Sequence, residues 1–118
     1  METRPIVDNT ITFDDFESIT SKLDIRYGNV IASVRVPKSK KLLQLTVVFN
    51  ESGDEKRTIL TNIGNQFDPE NLEGKTLPFI LNFPPATIMG IVSEGMIILP
   101  NLDGYVYLEN PTVGSKLF

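Results

Sequence analysis

Apolar residues in this chain alternate more often than they cluster. In "LLQLTVVF" (residues 42–49), Leu43, Leu45, Val47 and Phe49 share one face of an extended chain, with Gln44 and Thr46 on the other. Period two with β-branched residues predicts a strand half-buried against a core. "DIRYGNVIASVRV" (24–36) has the same pattern, Val30, Ala32, Val34 and Val36 alternating with Ile31, Ser33 and Arg35. Gly28 inside that run predicts a bulge or a sharp bend. A third strand is expected in "KRTILTNI" (56–63). Later ones are expected in "TLPFILNF", "GMIILP" and "YVYL", bounded by Pro, Gly or the turn-forming "NLDG".

Two segments read as helical. Thr12 ahead of "FDDF" offers a hydroxyl N-cap, acidic residues in the first turn and Asp15 three positions on. These groups complement the exposed N–H groups of a helix start. Phe13 and Phe16 fall on one face, which predicts that this helix plugs onto the core. In "DPENLEGK" (68–75), Asp68 is placed as N-cap, Pro69 at the first helical position and Gly74 as terminator of a one- or two-turn helix. The order is three strands, a short helix, two strands and a C-terminal β-ribbon. An all-β chain of this order matches the five-stranded oligonucleotide/oligosaccharide-binding barrel, the OB fold. Closing so small a barrel requires strongly bent strands. A plain β-sandwich is the alternative, and the 68–75 helix fits it badly.

Composition narrows the function. The chain has 118 residues, 41% of them hydrophobic, enough for one domain over 1–118 with residues 1–12 as an N-terminal arm. No apolar run approaches the length of a membrane span, and the first residues lack the basic-then-apolar order of a signal peptide. A cytoplasmic protein without membrane association is expected. Histidine and cysteine are both absent, which excludes disulfides, thiolate nucleophiles, the usual catalytic triads and the usual zinc sites. The paired carboxylates Asp14/Asp15 and Asp54/Glu55 fall in a helix start and a turn, where capping and solvation account for them. There is no Gly-rich phosphate loop. The expectation is a binding protein with no catalytic centre and no cofactor.

The net charge of −4 argues against a nucleic-acid partner, but its distribution argues differently. Residues 22–57 hold eight basic side chains against four acidic ones, while both flanks are acidic. Such asymmetry creates a local positive field inside an acidic chain. Lys38, Lys40 and Lys41 concentrate it on one loop, which reads equally as a solvated turn or as a phosphate contact.

Five segments in order make the chain recognisable: "FDDFESITSKLDIRYGNVIASVRVPKSKKLLQLTV", "RTIL", "PENLEGK", "ILNFPPATIMGIVSEGMIILP" and "GSKLF". Together, over roughly residues 13–118, they resemble the stand-alone tRNA-binding domain family. Its members are appended to the C-terminus of methionyl-tRNA synthetases, form the core of the endothelial monocyte-activating polypeptide, and occur as free homodimeric tRNA-binding proteins. The resemblance implies an OB-fold barrel that recognises the outer corner of folded tRNA by shape and backbone contacts. It also implies a homodimer. The family's Ser-[Glu/Gln]-Gly-Met motif falls on Ser93 and Met96, its Ala-Asn-Leu asparagine on Asn82, its basic loop on Lys40 and Lys41, and its Arg-Thr-Ile arginine on Arg57. With Arg35 and Lys38 these complete the expected RNA-binding set. Many members carry cations after the fourth strand, in Asn-Leu-Lys-Pro-Arg-Lys. This chain reads Asn82-Phe83-Pro84-Pro85-Ala86-Thr87 instead, which is similar to the CsaA branch of homodimeric export chaperones. An unfolded polypeptide or an aminoacyl-tRNA synthetase therefore stands as the alternative partner to tRNA.

"SEGM" (93–96) has two readings. In one it is a turn, Gly95 permitting positive φ and Met96 filling the barrel mouth. In the other, the Ser93 hydroxyl bonds a phosphate or ribose and the Met96 thioether lies against a base or sugar. Phe83, beside Asn82, reads either as a core residue or as a base-stacking one.

Overall fold

The computed structural model describes residues 10–98 and 112–116. Helix α1 (Phe13–Thr20) starts as its sequence dictates. The Thr12 hydroxyl accepts from the Asp15 N–H at 3.0 Å, and the Asp15 carboxylate reaches back to the Thr12 N–H, a capping box. The helix does not plug onto the core. None of its residues is buried, and Phe13, Phe16 and Ile19 stay exposed together with Ile11.

Strands β1 (Ile25–Arg35), β2 (Leu43–Val48) and β3 (Lys56–Thr61) form an antiparallel meander. The first half of β1 pairs on its other edge with β4 (Thr76–Ile80), and β4 pairs with the short β7 (Met96–Ile97). The sheet order is β3-β2-β1-β4-β7, and the sheet curls into an OB-like half-barrel. A separate hairpin, β5 (Ala86–Ile88) and β6 (Ile91–Ser93), lies beside β3. Its two turn residues, Met89 and Gly90, have φ of 52° and 80°. Positive φ at both positions marks a type I′ turn, which matches the twist of the strands it joins. This hairpin is not legible in the sequence, because Met is foreign to that turn position.

Leu43, Leu45, Val47 and Phe49 point inward as their alternation requires. They meet Val30, Ile59 and Phe79 in the core, where the Phe49 and Phe79 rings pack edge to face at 5.6 Å. In β1 the alternation is broken. The register against β2 shifts between Val30 and Ala32, so the bulge lies at Ile31 rather than at Gly28. One extra residue moves the side chains directly after it to the opposite face. Ser33 is buried in consequence and Val34 is 54% exposed, the reverse of the expectation from sequence. Gly28 has a different purpose. A Cβ there would stand 2.5 Å from side-chain atoms of Phe49 and Val47, so glycine lets those side chains cross the strand.

The 68–75 segment is a single 3-10 turn, Pro69–Asn71, instead of a one- or two-turn helix. Asp68 makes no side-chain cap, since its carboxylate faces Arg35 at 3.3 Å. Near the C-terminus, the N–H of Gly114 donates to Tyr27 O and the N–H of Tyr27 to Ser115 O, so residues 114–116 occupy the edge of β1 that β2 leaves open. The C-terminal ribbon expected around Tyr105, Tyr107, Leu117 and Phe118 lies outside the described residues.

Candidate nucleic-acid interface

The eight residues singled out in the sequence divide by what their side chains touch. Four are tied into the scaffold. One guanidinium nitrogen of Arg35 donates to Gly64 O at 2.7 Å, while the other faces Asp68. Arg57 donates to Leu81 O at 2.8 Å and to Glu94 O at 3.1 Å, joining β3, the end of β4 and the "SEGM" segment. Asn82 accepts from the Asp24 N–H at 2.9 Å and donates to Lys22 O, which fixes the chain entering β1. Beside it Arg26 pairs with Asp24 at 2.8 Å, and this hydrogen bond raises its pKa above the ordinary arginine value.

The fourth is Ser93. Its buried hydroxyl accepts from the Leu60 N–H at 2.9 Å and donates to Gly95 O at 3.2 Å. Glu94 completes the arrangement. Its N–H donates to Thr58 O at 2.8 Å, and its carboxylate accepts from the Thr58 N–H at 3.3 Å. Ser93 and Glu94 thus bind the outer edge of β3 and bring the two ends of the sheet together. Gly95 is not in the left-handed region. Glycine is required by proximity instead, because a Cβ would meet Ile59 Cδ1 at 3.0 Å and Ile80 O at 3.1 Å. "SEGM" is a closure of the barrel first; Glu94 and Met96 are its exposed members, and the Met96 side chain is 51% exposed.

The other cationic candidates are free. Lys38, Lys40 and Lys41 are exposed and make no ion pair among the described residues. Their loop is nevertheless fixed. The Val36 N–H donates to Leu42 O at 3.0 Å, and the Ser39 hydroxyl accepts from the Leu42 N–H at 3.0 Å. Lys38 adopts φ 69°, a left-handed conformation uncommon outside glycine.

Lys41 and Met96 come together on the rim of one groove of about 570 Å3, which runs between the lysine loop, the 62–66 connection and the β5–β6 hairpin. Asn62, Asn65, Gln66 and Ile88 also line it. Sequence pattern alone does not single out these four. "TNIGNQ", a polar run with two asparagines and a glutamine directly after a strand, was the available signal, and it reads equally well as an ordinary connection. Phe83 is exposed and does not join the core. Among the described residues no helix is long and apolar enough to cross a membrane, and no acidic cluster is suited to a metal ion.

Comparison with known proteins places this arrangement. The family described as "Putative tRNA binding domain" matches residues 25–103. The methionine–tRNA ligase of Parabacteroides distasonis is 47% identical over 109 residues, covering 92% of this chain and 15% of the ligase. That of Archaeoglobus fulgidus is 42% identical over 101 residues, covering 86% and 14%. The chain thus spans about 15% of the length of these curated relatives. Among solved structures, a MetRS-related protein from Pyrococcus horikoshii superposes with a TM-score of 0.74 at 35% identity, covering 93% of this chain and 99% of that one. The CsaA chaperone protein of Picrophilus torridus superposes with a TM-score of 0.71 at 26% identity, covering 92% and 100%. With the greater part of its length matched and its barrel shared with these structures, the chain belongs to the tRNA-binding domain family.

Proposed function

We propose that this chain binds folded tRNA without catalysing a reaction on it, through phosphate contacts from Lys38, Lys40 and Lys41 and through Met96 on the adjoining groove. The observation that carries this reading is three unpaired cations on a rigid loop that borders a groove shared with Met96, in a member of a tRNA-binding family. Phosphate contacts fix register and orientation and carry no sequence information directly, which suits recognition of a shape. Arg35, Arg57, Asn82 and Ser93 act as positioning residues, holding the loops that carry the contacts.

A second reading is favoured by a specific observation. The segment after β4 has no cation, and Phe83 beside two prolines is exposed, a surface suited to an unfolded polypeptide as in a CsaA-like chaperone. Salt separates the two. Each phosphate neutralised lowers log affinity by roughly 0.7–0.9 per log unit of salt, whereas apolar peptide binding hardly changes. Titration of the full chain with total tRNA is expected to give a steep slope that flattens in Lys40→Glu/Lys41→Glu, with affinity falling for every tRNA alike. A salt-insensitive parent that prefers unfolded polypeptide would replace the tRNA reading with the chaperone one.

We also propose that the chain self-associates through α1, where Ile11, Phe13, Phe16 and Ile19 are exposed together. Its setting is the cytoplasm, where folded tRNA is abundant, and a synthetase is a further partner consistent with the relatives.

A further inference from the structure

We propose that the groove beside Lys41 receives an unstacked nucleobase of the bound RNA, held against Met96 and Ile88 and read at its edge by Asn62, Asn65 and Gln66. The inference rests on the tRNA reading above and adds to backbone contact a site for base identity.

The chemistry of the lining carries it. A phosphate needs donors alone, and Lys41 supplies a cation at the rim. Besides the buried Thr61, the other polar side chains lining it are three carboxamides, and each amide presents a donor and an acceptor together. Base edges show that same mixture of groups, which is why Asn and Gln serve in base readout and why unpaired RNA bases are read on their Watson–Crick and Hoogsteen edges. The amides of Asn62, Asn65 and Gln66 make no hydrogen bond to another described residue, so their groups are open to a ligand. The apolar part fits equally well. Ile88 and Met96 are both exposed large side chains on this groove, with the buried Leu42 and Leu60 behind. A base turned out of its stack requires such a surface, and a thioether adapts to it.

The size and the rigidity agree. About 570 Å3 falls within the range of pockets that take small organic groups, roughly 300–1,000 Å3. The 62–66 connection is held before any ligand arrives. Its Gly64 N–H donates to Lys41 O at 2.7 Å, Arg35 clamps Gly64 O at 2.7 Å, and the Gln66 N–H donates to Ile63 O at 2.9 Å. A Cβ at Gly64 would lie 2.8 Å from Lys41 O, so the amide loop and the lysine loop are in direct backbone contact. The backbones that carry the cation and the amides are therefore fixed against one another, as recognition of one nucleotide's phosphate and base demands. A stacked duplex presents its sugar–phosphate surface to such a groove and leaves the amides unmatched.

The test compares the full-length parent with Asn62→Ala/Asn65→Ala/Gln66→Ala. All three positions are exposed, so thermal melts of the two proteins should coincide. The probes are total tRNA and short single-stranded oligo(A), oligo(U) and oligo(C). The parent is expected to rank the three oligomers unequally. The variant should lose about tenfold in tRNA affinity with its salt slope unchanged, and should bind the oligomers alike. Unchanged affinity and ranking would overturn the proposal while leaving tRNA binding intact. A flattened salt slope in the variant would overturn it too, by showing that the loop serves phosphates. Loss of binding to an unfolded polypeptide with RNA binding retained would assign the groove to protein. A parent that binds tRNA at no salt concentration would sink the underlying function instead.

Discussion

Ser93 and Met96 are close in sequence and opposite in environment, 6% and 51% exposed. Removing the Ser93 hydroxyl leaves the Leu60 N–H without its acceptor inside the protein, and an orphaned buried donor costs about 1–3 kcal/mol. Ser93→Ala is therefore expected to lower the thermal midpoint measurably, and its folded fraction should bind tRNA at close to parental affinity. Met96→Ala should do the reverse. A half-exposed methionine contributes little to the core, so stability should change by less than about 1 kcal/mol while tRNA binding weakens several-fold. Calorimetry and a filter-binding titration on both variants check the pair. A Ser93→Ala protein of unchanged stability and weakened binding would restore the hydroxyl to the RNA. The sequence could nominate both residues, but it could not separate them. A hydroxyl is equally suited to a phosphate or to a strand N–H, and only the fold shows that Leu60 lies within 2.9 Å.

Among the elements, β1 decides the geometry, because one strand serves two neighbours and must bend between them. Gly28 allows Phe49 and Val47 to pack across it, and Gly28→Ala forces a Cβ into atoms 2.5 Å away. Overpacking of this kind typically costs about 1–3 kcal/mol, and this contact lies in the core. Chemical denaturation of Gly28→Ala is expected to show a loss at or above that range, and a loss under 0.5 kcal/mol would mean that the neighbours yield freely. Much of this level was legible beforehand. The capping box at Thr12 and the alternation of β2 follow from spacing and side-chain chemistry, whereas Gly28 marks β1 as unusual without showing that it makes room for Phe49 and Val47. The bulge at Ile31 did not, because Val-Ile-Ala-Ser carries no residue that marks which position is extra. Arg35 and Arg57 read as free cations for a related reason. Sequence reports charge, and only folding reveals that the carbonyls of Gly64, Leu81 and Glu94 gather around them. The amide loop at 62–66 was hidden by its ordinariness.

For the whole molecule, α1 is the element whose chemistry and surroundings disagree. Phe13 is 71% exposed and Ile19 54%, with the Phe13 and Phe16 rings stacked at 6.2 Å. Exposed apolar side chains grouped in this way suit the proposed self-association. Light scattering is expected to give twice the 13.2 kDa chain mass, reverting to the single-chain mass in Phe13→Asp/Phe16→Asp with the barrel still folded. A parent of single-chain mass at micromolar concentration would leave the α1 face to another protein. The closure of the barrel has a different consequence. A sheet whose last strand keeps unpaired N–H and C=O groups is a template for strands of other chains. Among the described residues that edge of β3 is bonded by Ser93 and Glu94, through the Leu60 N–H and the N–H and C=O of Thr58. "SEGM" therefore acts as a guard against aggregation. Damage to it would appear as open-ended association between β3 edges during heating or refolding, before any defect in tRNA binding could be measured.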